Sequence, residues 1–217
     1  MKAQEKILEL ATGTLEQVEV TFHQAYQEGI FDRWFPGFKD MEGCQHRTSF
    51  KMPNGIVQII HREGDVLIHT GKVLAHSSQI TEDILTESDR YILTVAALLH
   101  DIKKPKTRGV EDSGKVTFYG HAEEAAYRCF KFASHICMTQ SEADGLKWVV
   151  GNHMNAHFIP TYSEEKRMSF YQSPYFPILK ALQAADSLGT WVNDDGTEHM
   201  PVYCEFFTQD VKRLFGS

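Results

Sequence analysis

An apolar segment that ends in a histidine beside an aspartate constrains this chain more than any other feature. Tyr91, Ile92, Val95, Leu98, Leu99 and Ile102 recur at helical spacing, which predicts a buried helix with His100 and Asp101 in its last turn. An imidazole and a carboxylate side by side and partly desolvated each need a compensating partner, and a divalent cation serves both at once. A hydrogen-bonded pair capping the helix serves as well, so the doublet alone leaves two readings open.

Composition narrows the setting. The 217 residues are 42% hydrophobic, enough to bury a core, and they read as an N-terminal helical extension over residues 1–30 followed by one domain over 31–217. No run is apolar for long enough to span a bilayer, and Met1 to Lys6 introduces no signal-peptide core, so a cytoplasmic protein is expected. Cys44, Cys129, Cys137 and Cys204 are too scattered for a zinc-binding pair and read as reduced, mostly buried thiols. A net charge of -7 argues against broad attraction to a nucleic-acid duplex. The dense basic run is local, Lys103, Lys104, Lys106 and Arg108, directly after the doublet.

Further helices follow from periodicity and end signals. Residues 2–28 carry one or two, broken near Gly13. Between Phe31 and Gly64 the pattern is irregular, with room for a small hairpin turning at Asn54-Gly55. Asp65 is placed to cap a helix that holds His69 and His76. A polar loop over Thr107 to Lys115 precedes an extended Val116 to Tyr119, and Gly120-His121 opens a helix running to about Met138. Ser141 to Asp144 reads as the capping signal of the next helix, which carries His153 and His157 on one face and ends at Pro160. Tyr162 to Pro174 is expected to be a loop with a basic patch at Lys166 and Arg167. Pro177 starts a helix that places Asp186 in an apolar setting, and Tyr203 to Phe215 forms a last helix, with Gly216-Ser217 either native or a cloning remnant.

His69, His100-Asp101, His121, His153 and Asp186 therefore sit on or beside five successive helices. An antiparallel bundle whose helices each deliver one ligand to a common interior point produces this arrangement. Nitrogen and oxygen donors without thiolates suit manganese, iron, cobalt, nickel, magnesium or zinc. No P-loop, GxGxxG, GxSxG or HExxH pattern occurs, which removes several enzyme classes.

With these residues in view, the chain resembles the HD-domain metal-dependent phosphohydrolases, and most of all the HD domains associated with CCA-adding tRNA nucleotidyltransferases and RNA end-healing enzymes. The likeness runs over about residues 36–190 and rests on His61-Arg62-Glu63-Gly64-Asp65-Val66-Leu67-Ile68-His69-Thr70, on Ala97 to Pro105, on Gly120-His121-Ala122, on His153 with His157, and on Ala185-Asp186-Ser187. It implies an all-α helical bundle with a small hairpin at most. The nucleotidyltransferase module has no counterpart upstream, so only the hydrolytic part is implied. By the same resemblance His69, His100, Asp101 and Asp186 hold a first divalent ion, and His121 and His153 hold a second with Asp101 shared. His157 is a ligand or a substrate contact. Lys104 matches a family lysine that approaches phosphate. Lys103 stands where the family usually has glycine, which alters the local backbone or the access to the site.

The chemistry implied is hydrolysis by metal-activated water, with Asp101 and Lys104 in catalytic roles and Lys103, Lys104, His157 and Arg108 on the substrate. Glu123 and Glu124, next to His121, are expected to face solvent, with orienting a ligand or moving protons as the alternative role. The expected substrate is a small nucleotide or an RNA-end phosphate, as a phosphomonoester or a 2',3'-cyclic phosphodiester, with no membrane partner, no strong duplex binding and an oligomer allowed. Two alternatives stand beside it: a deoxynucleoside triphosphate triphosphohydrolase, and a catalytically weak nucleotide-binding module.

Overall fold

The computed structural model describes residues 3–51, 55, 57–80, 84–193, 199 and 201–216. Its centre is α5 (Glu87–Leu99), in which every residue from Tyr91 to Leu99 is buried. A helix that is apolar on all sides is stable only when other helices surround it. Here they are α4 (Val66–Ser78), α8 (Gln140–Ala156) and α10 (Phe176–Gly189). Thr86 opens α5 with a reciprocal capping box to Asp89, which satisfies free N–H groups at that end.

Outer elements close the bundle. α1 (Ala3–Leu10) lies on α5, and α2 (Leu15–Gln27) lies on α4, burying Ile7, Leu10, Val18 and Phe22 in the same core. α7 (His121–His135) packs along α8, and α11 (Cys204–Phe215) covers α10. Close approaches are made possible by glycines: a Cβ at Gly71 would lie 2.9 Å from the Phe22 ring, and one at Gly189 would lie 2.9 Å from Val73 Cγ2. The irregular region after Phe31 is held by aromatic packing. Short α3 (Ile30–Trp34) and a 3-10 turn over Phe38–Met41 join Phe31, Phe35 and Phe38 to Phe22 and Phe132.

β1 (Thr48–Lys51) and β2 (Val57–Ile60) form the expected antiparallel hairpin, pairing Thr48 with Ile60 and Lys51 with Val57. Asn54, half of its anticipated turn, lies outside the described residues, as does Ser217. The segment after the doublet is more ordered than a polar loop: α6 (Lys104–Thr107) leads into a second hairpin of β3 (Gly109–Val110) and β4 (Val116–Thr117).

Several expectations are corrected. The cap of α8 is Thr139, boxed with Glu142, two residues before the anticipated Ser141, and the helix ends at Ala156 rather than Pro160. Tyr162 to Pro174 is not a loop but contains α9 (Glu164–Tyr171), capped by Ser163 with two glutamates in its first turn, a favourable match to the helix dipole. Its Arg167 is paired with Asp210 on α11 rather than forming an open patch. Of the four free thiols only Cys44 and Cys129 are buried; Cys137 is exposed. No helix among the described residues is long and apolar enough to cross a membrane.

Candidate metal centre

The doublet sits just past its helix. α5 stops at Leu99, His100 is the C-cap, and the chain turns through tight backbone bonds, Ile102 N–H to Leu99 O and Lys104 N–H to Asp101 O. This turn, rather than a last helical turn, aims His100 and Asp101 into the space between α4, α7, α8 and α10. α6 and α9 intervene in the chain, so the contributing helices are not strictly successive.

Asp101 is the hub. Its Oδ2 lies 3.3 Å from His100 Nε2, 3.9 Å from His69 Nε2 and 2.6 Å from Lys104 Nζ. Its Oδ1 faces the other way, 3.3 Å from His121 Nε2 and 3.7 Å from His153 Nε2. Asp186, in the last turn of α10, completes the first side with Oδ1 at 2.9 Å from His69 Nε2 and 4.0 Å from His100 Nε2. Its Oδ2 takes His157 Nε2 at 2.8 Å. The side chains of His69, His100, Asp101 and His153 are all but inaccessible, whereas that of His157 is 22% exposed and marks the open rim.

Ring tautomers follow from the backbone. His100 Nδ1 meets Ala97 O at 2.9 Å, His121 Nδ1 meets Phe118 O at 2.7 Å and His153 Nδ1 meets Val150 O at 2.8 Å. A carbonyl can only accept, so each Nδ1 carries a proton, and in the neutral ring this leaves Nε2 to present its lone pair. His121 Nε2 and His153 Nε2 are nevertheless 3.1 Å apart. Such a contact is tolerable only with a proton or a cation between the rings. His100 Nε2 and Asp101 Oδ1 are buried without a hydrogen-bond partner, and Asp101 Oδ2 has the Lys104 ion pair but no well-aligned hydrogen bond, an arrangement that is costly unless something else satisfies them.

A divalent ion fits these observations. The groups His69, His100, Asp101 and Asp101, His121, His153 each bring three donors within reach of one ion. Separations of 2.9–4.0 Å are those of ligands held about 2.0–2.2 Å from a common centre. Burial opposes ionisation of Asp101, yet Lys104 and the His100 and His121 rings hold its carboxyl well below the usual range. Burial likewise opposes the charge on Asp186, and His157 and His69 lower its pKa in turn. Against its own burial, His69 is pushed up to about 10 by Asp186 and Glu63, while burial pushes His153 down to about 4.

Residues 66–191, more than half of the chain, match the HD domain family model. The chain is an HD-domain protein. No curated protein matches it. HD domains are characteristically those of metal-dependent hydrolases, and the buried donor groups of this one are of the type that binds divalent ions.

Not every expected residue joins the HD-domain cluster. Lys103 is buried, but its amine lies 5.6 Å from the centre of the Phe132 ring, directed at α7. Burial, then the charges of Lys106 and Arg128, push that amine down. Arg108 is exposed at the C-cap of α6, while Glu123 and Glu124 face solvent in the first turn of α7, as expected of them. Three residues that reasoning from the sequence missed stand behind His69. Glu63 Oε1 is 3.0 Å from His69 Nδ1, 2.9 Å from His61 Nδ1 and 3.5 Å from His46 Nε2. The alternation His61-Arg62-Glu63 ahead of a capping Asp65 was the available signal; His46, in an aperiodic stretch, offered none.

Proposed function

We propose that this HD-domain protein is a cytoplasmic metal-dependent phosphohydrolase acting on a nucleotide or an RNA-end phosphate, either a phosphomonoester or a 2',3'-cyclic phosphodiester. The observation that carries the reading is Asp101, whose two oxygens each face a separate set of imidazoles. In this reading His69, His100, Asp101 and Asp186 hold one ion, and His121, His153 and the second oxygen of Asp101 hold another. When bound, divalent ions lower the pKa of water from about 16 toward 7 and polarise a phosphoryl oxygen.

The protein's own groups supply the rest. Backbone carbonyls keep His100, His121 and His153 in the metal-facing tautomer before any ion arrives, so little reorganisation is needed on loading. Lys104, within an ion pair of Asp101, is placed to turn its ammonium toward the charge that builds on phosphoryl oxygens. His157, at the rim against Asp186, is placed to touch the substrate or to donate a proton to the leaving oxygen. Of the basic run only Lys104 pairs with Asp101 among the described residues, the Lys103 amine lying toward Phe132. The near-complete burial of the cluster favours a chain end or a small molecule over a duplex. The choice of RNA-end phosphate is supported by the resemblance of His61 to Thr70 and Ala97 to Pro105 to the HD domains of tRNA end enzymes.

The test is elemental analysis of the purified protein followed by a panel of p-nitrophenyl phosphate, 2',3'-cyclic nucleotides, nucleoside monophosphates and deoxynucleoside triphosphates with each divalent metal in turn. Turnover of a monoester or cyclic phosphate is expected. Release of triphosphate from a deoxynucleotide would replace this reading with the triphosphohydrolase one, and tight nucleotide retention without product would replace it with a binding module.

A further inference from the structure

We infer that Glu63, together with His46, forms a positioning relay that fixes the metal-facing tautomer of His69 from behind and anchors Lys104 at its other end. The inference rests on His69 being a metal ligand, and the two residues it adds, Glu63 and His46, lie outside the segment that matches the family. His69 differs from the other three imidazoles facing Asp101. Their Nδ1 atoms meet backbone carbonyls, whereas His69 Nδ1 meets a carboxylate oxygen at 3.0 Å and has no other hydrogen-bond partner. An anion in that place holds the Nδ1 proton and raises the electron density of the ring more than a carbonyl does. Three rings crowd the one oxygen, so the contacts to His69 and His46 lie off the ideal line and act as a charge drawing N–H dipoles.

The direction of the relay follows from donors and acceptors. Lys104 Nζ lies 3.3 Å from His46 Nδ1. An ammonium only donates, so His46 Nδ1 accepts and His46 Nε2 carries the proton. That Nε2–H faces Glu63 Oε1 at 3.5 Å, and His61 Nδ1 adds a hydrogen bond to the same oxygen at 2.9 Å. The remaining oxygen, Oε2, accepts from Trp191 N–H, while Arg62 N–H bonds Trp191 O. His61 has φ 58, a left-handed conformation that residues with a Cβ rarely adopt. The bend allows His61 and Glu63 to share one buried point. The relay Lys104, His46, Glu63, His69 thus starts at the cation on Asp101 and ends at a ring beside Asp101 and Asp186.

His46, His61, Glu63 and His69 are also close enough together to surround an ion. The proton on His46 Nε2 argues against that use, since it leaves the nitrogen no lone pair to give.

The test uses the full chain with Zn2+ as a diamagnetic probe. In the zinc-loaded wild type, nitrogen-15 NMR of the histidine rings is expected to show His69 protonated at Nδ1, with that proton shifted downfield and slow to exchange. Glu63→Ala is expected to lose this signal and to bind zinc about 10–100-fold more weakly. Glu63→Gln, which can still accept a hydrogen bond, should keep the tautomer and fall between the two. A His69 Nδ1 that is metallated, or is unprotonated in the loaded wild type, overturns the inference even if the variants fail to fold. Unchanged zinc affinity and ring spectra in Glu63→Ala overturn it as well. Failure of the wild type to bind any divalent ion instead overturns the metal-centre reading beneath it.

Discussion

His69 Nε2 and Asp186 Oδ1 lie 2.9 Å apart although 117 residues separate them in the chain. The contact exists because α4 and α10 run against each other with no side chain between them at Gly189, one turn beyond Asp186. Helix packing therefore sets the ligand spacing.

Gly189→Ala should disturb that spacing. The new methyl would lie 2.9 Å from Val73 Cγ2 and 3.2 Å from Val73 N, on the backbone of α4. Overpacking of this kind costs about 1–3 kcal/mol. The expected result is a lower denaturation midpoint together with weaker metal binding, read by calorimetry and metal titration. A destabilised variant with wild-type affinity would uncouple the packing from the site.

Asp101→Asn keeps the size of the side chain and removes the charge shared by both groups of imidazoles. Metal content measured by elemental analysis and turnover should fall together, activity by more than the roughly 10–100-fold typical of groups one layer further out. Retention of both would remove Asp101 from the centre.

Lys104→Gln should separate binding from chemistry. The ammonium pairs with Asp101 without being a ligand in the proposed scheme, so bound metal should stay near the wild-type ratio. The rate of phosphate release at saturating substrate is expected to fall about 100–1,000-fold, as for loss of a group that stabilises developing charge. Loss of the metal instead would make Lys104 a structural guard of Asp101.

His76, two turns along α4 from His69, gives a pH dependence through groups outside the centre. Burial, then the nearby His199 and Lys72 charges, push His76 down to about 4, against about 6.5 for a histidine in the unfolded chain. Between those values the unfolded state binds the extra proton, so stability falls as pH drops from about 6.5 toward 4. His76→Gln should show a shallower decline in urea melts over that range with chelator present. Parallel curves for the two proteins would dismiss the effect.

The amino-acid sequence by itself determined the helices and the identities of the converging groups. Apolar spacing marked α5 as interior, Asp65 marked the start of α4, and an imidazole or carboxylate placed in each apolar stretch could be read without coordinates, because each such signal is local to one helix. What lay beyond those signals was decided by tertiary contacts. Lys103 and Lys104 are neighbours, yet one amine lies over Phe132 and the other on Asp101. Their divergence depends on the backbone turn after Leu99 and on what α7 brings near. His46 comes from a stretch with no period, and Glu63, whose only local signal is its place ahead of Asp65, is held by the N–H of Trp191 far along the chain. Periodicity reports which face of an element is buried; only the folded chain decides which buried groups meet, since that depends on contacts between segments that share no local pattern.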